Sequence, residues 1–122
     1  MSHTDPHVKL LTDGYTVKIE DDYCSILFGS EIFSLSFDDL QRMMAHGLGF
    51  RKSLVFTPAD NSYTLTVMKV DDGIRLCNVM KCANFSTEDV MTMTMEAYTE
   101  FIGLIGEITQ IIADKKDCSC VN

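Results

Sequence analysis

The most constraining feature of the sequence is a stretch in which the hydrophobic period changes without an intervening loop. Residues 90–95, VMTMTM, alternate apolar residues with threonine, which is typical of a half-buried β-strand. From Tyr98 onward the apolar residues recur at the spacing of one helix face, and Thr94 can act as the N-cap. The stretch therefore predicts a strand that runs directly into a helix of about 19 residues.

A weaker copy of this unit lies upstream, at residues 32–44. Residues 32–35, IFSL, have the pattern of a strand, and Ser36 with Asp39 three residues later is close to a capping box. A short helix is predicted over about residues 37–47. Its apolar face would consist of Leu40, Met43, Met44 and Gly47.

Both halves place further strand patterns before the strand–helix unit. Strands are predicted at 8–11, 15–20 and 23–28 in the first half, and at 52–56, 63–70 and 74–81 in the second. Turns are predicted at Asp21-Asp22 and at Asp71-Asp72-Gly73, and a loop over residues 84–89.

This order predicts an α+β fold built from antiparallel sheets. It contains two degenerate strand-strand-strand-strand-helix units and a long C-terminal helix. We expect a single domain over residues 8–114, with repeat units at about 8–48 and 51–114. Flexible tails are predicted for residues 1–7 and 115–122.

The charge balance bears directly on possible partners. The chain of 122 residues has 18 acidic and 10 basic residues, a formal net charge of −8, which opposes non-specific attraction to nucleic acid. The charge is unevenly spread, because residues 51–81 contain five basic and three acidic residues. The middle of the sequence is therefore locally basic.

Compartment and membrane signals point to an intracellular protein, cytoplasmic or nuclear. No apolar run approaches the roughly 20 residues needed to cross a bilayer, and the polar start has no signal-peptide character. The five cysteines are odd in number and lack the spacing of a disulfide framework. Reduced thiols are expected.

The sequence has no recognisable motif of a catalytic or cofactor site. Two of the three histidines, His3 and His7, lie in the predicted N-terminal tail, and no nucleophile, base and orienting acid are brought together by a recognisable motif. The pair Cys118 and Cys120 lacks the second pair that a zinc site requires. We therefore expect no enzymatic activity, no cofactor and no metal site.

The element order, with a polar cap directly after the last strand of each half, resembles a known single-stranded nucleic-acid-binding fold. It is the fold of the transcriptional coactivator positive cofactor four and of its doubled relatives, the Whirly and Pur-type proteins. The resemblance covers roughly residues 8–113 and implies a concave sheet surface that holds nucleic acid through basic and aromatic residues. The matching binding residues would be Lys18, Arg51, Lys52, Lys69, Arg75, Lys81 and Tyr63, beside hydroxyl groups of Thr16, Thr64, Thr66 and Thr92.

The sequence departs from that pattern because the same surface offers few aromatic residues beyond Tyr15, Tyr23 and Tyr63. Single-strand binding needs cations along the backbone and rings on which bases stack.

The resemblance also implies that the helices pair in a dimer. The apolar stripe of the last helix is broader than one sheet face would cover, which favours a homodimer through that helix. The predicted interface consists of Phe101, Leu104, Ile105, Ile108 and Ile111.

Two functional hypotheses follow from the sequence. The first is a single-stranded nucleic-acid-binding protein that acts through a sheet surface. The second is an acidic protein-interaction module, either chaperone-like or an inhibitor whose carboxylates imitate nucleic-acid phosphates, with no nucleic-acid binding. A small apolar or nucleotide ligand enclosed by the doubled sheet is a third possibility.

Overall fold

The computed structural model describes residues 7–47, 49, 52–81, 84 and 86–120, and for Lys81 and residues 115–120 it describes the backbone alone. In the first half, a 3-10 turn at Thr12–Gly14 follows the first strand. The elements are β1 (Val8–Leu10), β2 (Thr16–Ile19), β3 (Tyr23–Phe28), β4 (Glu31–Ser36) and α1 (Phe37–His46). The second half contains β5 (Ser53–Phe56), β6 (Tyr63–Val70), β7 (Gly73–Lys81), β8 (Ser86–Thr94) and α2 (Met95–Cys120).

Each half forms its own antiparallel four-stranded sheet. Sheet A has the strand order β1-β2-β3-β4, sheet B has the order β5-β6-β7-β8, and a helix follows the last strand of each. The predicted fold class is therefore confirmed. The hairpin signal is also confirmed, because Val70 pairs with Gly73 and the turn consists of Asp71 and Asp72.

Hydroxyl caps begin both helices directly after a strand. The Ser36 side chain accepts a hydrogen bond from the Asp39 N–H at 3.1 Å, and the Asp39 carboxylate accepts one from the Ser36 N–H, which completes a capping box. The Thr94 hydroxyl accepts from the Ala97 N–H at 3.2 Å and donates to the Asp13 carboxylate at 2.6 Å. Both predicted caps are present.

One stripe of α2 supplies the centre of the core for both sheets. Its Tyr98, Phe101, Ile105, Ile108 and Ile112 are fully buried. We call the buried side of each sheet its inner face and the opposite side its outer face. The inner faces supply Val17, Ile19, Cys24, Ile26, Phe33 and Leu35 from sheet A, and Leu65, Val67, Ile74, Leu76, Met91 and Met93 from sheet B.

The predicted apolar face of α1 needs one correction. Leu40 and Met43 are fully buried, but Met44 is 45% exposed. The helix has only ten residues and packs against α2 through a narrow stripe, so the third predicted position turns towards solvent.

Hydrogen bonds tie the first half to the last two elements of the chain. The Tyr15 hydroxyl donates to the Thr92 carbonyl oxygen at 2.7 Å, and its ring stacks on Phe28 with the centroids 4.3 Å apart. The Lys9 ammonium lies 2.7 Å from the Glu107 carboxylate on α2. The two halves therefore form one structure with a shared core.

Two predicted boundaries differ from the structure. Strand β8 begins at Ser86, so residues 86–89 pair with β7 and do not form the predicted loop; their side chains are polar because this end of the strand is exposed. Helix α2 continues to Cys120 and has 26 residues, which is longer than the predicted helix of about 19 residues. At the N-terminus, the His7 carbonyl accepts from the Ile19 N–H at 2.7 Å, while residues 1–6 of the predicted tail lie outside the described residues.

The predicted dimer interface is reduced by the burial of α2. Phe101, Ile105 and Ile108 are fully buried within the chain, so they offer no surface to a second copy. Leu104 and Ile111 are half-buried and pack against the core. The stripe is broad because one helix serves two sheets. Among the described helices, none is long and apolar enough to span a membrane.

The β6–β7 hairpin requires glycine at its first β7 position. A Cβ atom at residue 73 would overlap the Met93 carbonyl oxygen on the neighbouring strand. We expect Gly73→Ala to lower the free energy of unfolding in urea by more than about 1 kcal/mol, because rigid backbone would have to move.

Gly103→Ala is the matched control, because Gly103 lies in the α2 interior with open space around it. There the same change should stabilise the protein by up to about 1 kcal/mol. Equal effects of the two substitutions would contradict the packing described for Gly73.

Candidate nucleic-acid interface

Three of the predicted cations lie at the β6–β7 hairpin end of sheet B. The Lys52 carbonyl accepts from the Lys69 N–H at 2.8 Å, and Arg75 on β7 is paired with Met68, the residue before Lys69. Arg75 is exposed, and its Nε lies 3.5 Å from the Thr92 hydroxyl. This end also carries the Asp71-Asp72 turn, so the local positive charge is partly neutralised.

The other predicted cations are placed differently. Lys18 lies on the outer face of sheet A, where register aligns it with Ser25 and Ser34, and its ammonium is 3.7 Å from the Glu20 carboxylate. The Lys81 backbone pairs with Ser86, and its side chain lies outside the described part of the chain. Arg51 also lies outside the described residues.

Tyr63 is held at the opposite end of sheet B from the hairpin. Its hydroxyl donates to the buried Asp39 carboxylate at 2.8 Å and lies 3.4 Å from the Ser36 hydroxyl. Six residues along β6 separate it from Lys69, roughly 20 Å in an extended strand. The structure therefore does not bring Tyr63 together with Lys52, Lys69 and Arg75.

Burial raises the pKa of Tyr63; the Ser36 hydroxyl partly opposes this rise, and the Asp39 carboxylate adds to it. The tyrosine stays protonated at neutral pH, as a donor to Asp39 must.

A cleft of about 250 Å³ opens where strands β3 and β4 of sheet A meet strands β6 and β7 of sheet B. We call it the inter-sheet cleft. Its lining residues are Tyr23, Ser34, Leu35, Ser36, Asp39, Tyr63, Asn78 and Met80. The volume lies just below the roughly 300–1,000 Å³ of pockets for drug-sized ligands, which suits a single planar ring.

The chemistry of the inter-sheet cleft favours an uncharged aromatic group over a phosphate. Tyr23 is 38% exposed, so its ring is accessible. Asp39 is the single charged residue in the described lining, and its two carboxylate oxygens already accept from the Tyr63 hydroxyl and the Ser36 N–H. A phosphate would be repelled by that carboxylate, whereas a planar ring with polar edges would find rings, hydroxyls and an amide.

A second cavity of about 210 Å³ is also lined by Tyr63, together with Thr57, Asn61, Thr64 and Val79. Tyr63 therefore forms part of the walls of two adjoining spaces. The Asp39 hydrogen bond keeps its ring in that position.

The outer face of sheet B, which the sequence analysis favoured, is mainly hydroxyl-bearing and apolar. Thr92 is exposed, Val55 is 61% exposed and Val90 is 44% exposed. Cys77 follows Arg75 on the outer face of β7, and its thiol lies 3.2 Å from the Glu88 carboxylate. Burial, together with that carboxylate, raises the pKa of Cys77. The described cation of this face is Arg75, and Glu88 adds a carboxylate to the same face.

Two cleft residues are not among the predicted binding residues: Asn78, and Tyr23, which the sequence placed among the few aromatic residues of the surface. Tyr23 carried a detectable signal, because it precedes the buried Cys24 and so lies with Ser25 on the other face of its strand. Asn78 carried another, because it interrupts an apolar period-two series that includes Leu76 and Met80. The meeting of these residues could not be foreseen, since they come from different sheets.

Within the part of the chain that the structure describes, no three His, Cys, Asp or Glu side chains come together as a metal-binding group. The side chains of Cys118 and Cys120 lie outside that part.

The fold is similar to that of two Whirly proteins of Arabidopsis thaliana. The crystal structure of WHY3 matches with a TM-score of 0.50 at 14% identity, over 96% of this chain and 86% of that chain. The crystal structure of WHY1 matches with a TM-score of 0.47 at 17% identity, over 98% of this chain and 84% of that chain. No protein-family model and no curated protein sequence matches the chain. The Whirly part of the resemblance is thereby confirmed for the fold, and the positive cofactor four part stays a prediction.

The Tyr63–Asp39 hydrogen bond can be tested through stability. Tyr63→Phe should lower the free energy of unfolding at pH 7 by about 1.5 kcal/mol, because a buried carboxylate loses a donor. Tyr15→Phe is the control and should cost about 1 kcal/mol, since its acceptor is a neutral carbonyl.

The pH dependence provides a second measurement on the same variant. The pKa of Tyr63 is raised by folding, so its contribution is complete below the unfolded value of about 10 and is lost as the pH rises through the folded value. Urea unfolding between pH 9 and pH 11 should therefore show a shallower loss of stability for Tyr63→Phe than for the wild type. A steeper loss would contradict the assignment.

Proposed function

We propose that the protein binds single-stranded nucleic acid, with one unpaired base in the inter-sheet cleft and the adjoining backbone over the outer face of sheet A. The observation that carries the proposal is the cleft itself, where an accessible ring, Tyr23, lies beside an amide and two serine hydroxyls. No catalytic step is involved.

Base stacking provides the attractive contact at this site. Stacking of a base on an aromatic side chain contributes about 1–3 kcal/mol and tolerates any base. Tyr23 is free to stack because it is 38% exposed, whereas the other candidate ring on sheet A, Tyr15, is buried against Phe28.

Lys18 is the described cation best placed to meet a phosphate next to the cleft. The Glu20 N–H donates to the Tyr23 carbonyl, so Lys18, two residues earlier, lies diagonally across from Tyr23 on the same outer face, roughly 7–8 Å away. Lys18 pairs with Ser25 on β3, which pairs with Ser34 on β4, and Ser34 lines the cleft. A strand that leaves the cleft would thus pass the Lys18 ammonium.

The similarity of fold to WHY3 supports the same proposal, since the resemblance seen in the sequence implies a sheet surface that holds single strands. The net charge of −8 indicates weak binding at physiological salt.

We expect Tyr23→Ala to weaken binding of a fluorescent single-stranded oligonucleotide at low salt by roughly 5- to 150-fold, because one stacking contact is lost. Phe28→Ala is the control for loss of an equally exposed ring, at 38%, on the opposite face of the same strand; because Phe28 stacks on Tyr15, circular dichroism checks that this variant is folded. Fluorescence anisotropy measures both affinities. Equal losses for the two variants would contradict the site.

The salt dependence separates this site from the one favoured by the sequence. Lys18→Gln should reduce the slope of log affinity against log salt by about 0.7, the value for one phosphate of a single strand. Arg75→Gln, at the far end of sheet B, should leave the slope unchanged. If Arg75→Gln reduced the slope and Lys18→Gln left it unchanged, the outer face of sheet B would be the binding surface instead.

A second candidate function is the acidic protein-interaction module. It is favoured by the exposed carboxylates, which include Glu31, Asp38, Glu88, Asp89 and Glu96. A homodimer is compatible with either function, and Leu104 and Ile111 are the members of the predicted interface that are still partly accessible.

Native mass spectrometry of freshly purified protein distinguishes these possibilities. We expect a dimer mass, and after addition of an oligonucleotide a shift by its mass. A partner protein retained through purification, with no oligonucleotide bound, would favour the interaction module. A monomer mass would contradict the dimer.

A further inference from the structure

We propose that Asn78 recognises the Watson–Crick edge of the base in the inter-sheet cleft, so that a base must be unpaired to enter. This inference rests on the proposed single-strand binding and assigns its selectivity to one residue. The starting point is the Asn78 Oδ1 atom, which is buried and has no hydrogen-bond partner among the described residues.

Asn78 is unusual for its position in the sheet. It lies on the inner face of β7 between Leu76 and Met80, opposite Leu65 on β6. An apolar side chain at this position would continue the core pattern and leave no polar atom without a partner. A buried acceptor without a partner in the described part of the chain is destabilising, so its presence points to a ligand that satisfies it.

Asn78 Oδ1 is the buried acceptor of the cleft lining that has no partner among the described residues. The Asp39 carboxylate is engaged by the Tyr63 hydroxyl and by the Ser36 N–H. A phosphate has only acceptor oxygens to offer the Oδ1 atom, so it would not satisfy it. A base edge would, because every base has an N–H donor on its Watson–Crick edge: amino groups on adenine and cytosine, and ring N–H groups on guanine and thymine.

An amide can also pair with a base edge through two hydrogen bonds. Asn78 has N–H donors next to Oδ1, which match the acceptor that adjoins the donor on each of these edges. In a duplex the same edge is occupied by the opposite strand. The geometry of the cleft therefore provides discrimination against paired bases without requiring a preferred base.

The test compares two oligonucleotides that differ only in the N–H donor on the Watson–Crick edge of the base. The first is oligothymidine, and the second carries a methyl group on N3 of every thymine, which removes the donor and retains the ring. The wild-type protein should bind the methylated strand roughly 5- to 150-fold more weakly, the range for one base contact with two hydrogen bonds.

Asn78→Leu tests whether Asn78 causes the difference. The variant should bind unmodified oligothymidine more weakly than the wild type and should bind the two strands with nearly equal affinity. Thr66→Val, a similar change on the outer face of the same sheet, should keep the wild-type ratio. Asn78→Ala serves as a second variant if the leucine does not fit, and circular dichroism checks that each variant is folded.

The outcomes separate this inference from the function on which it depends. If the wild type binds both strands equally, or the ratio persists in both Asn78 variants, the assignment of Asn78 is overturned while single-strand binding stands. If no oligonucleotide binds at low salt, both are overturned. A ratio that falls to near one in the Asn78 variants alone supports the assignment.

Discussion

The burial of one helical stripe against two sheets is the constraint on which the whole structure depends. Tyr98, Phe101, Ile105 and Ile108 are fully buried, and each such side chain contributes roughly 1.5–3 kcal/mol. Because α2 covers the inner faces of both sheets, the described helices leave the outer faces uncovered. The sheets then meet at an open seam, and the inter-sheet cleft lies there.

Asp39 determines the chemical character of this seam. Its carboxylate belongs to the capping box that begins α1 and also accepts the Tyr63 hydroxyl from the other sheet. The buried carboxylate is thus hydrogen-bonded by one local and one distant donor, as a polar group away from water requires. The same arrangement fixes the Tyr63 ring in the cleft wall and engages both carboxylate oxygens with donors of the protein. The polar groups that stay accessible are uncharged.

Local patterns were sufficient to predict the elements, because period, cap and turn signals act within a few residues. The Thr94 and Ser36 caps, the Asp71-Asp72 turn and the buried Met91 and Met93 all followed from such signals. The site was predicted only in part. Lys18 and Tyr63 lie at or near the cleft, but Arg75 does not, because strand alternation fixes the face of a residue without fixing which strands of the two sheets meet. Part of the α2 stripe was assigned to a partner for the same reason: its breadth was visible in the sequence, but the second sheet that it covers was not.

The hydrogen bonds between the first half and the last two elements of the chain also affect how the chain folds. Tyr15 bonds Thr92, 77 positions away, and Lys9 bonds Glu107, 98 positions away. Such distant pairings must await closure of long loops, which makes folding slow. During synthesis, sheet A leaves the ribosome before α2 exists, with Val17, Ile26 and Phe33 still uncovered. The first half therefore lacks its main core partner until the last helix is made, and its apolar face is open to aggregation or to a chaperone until then.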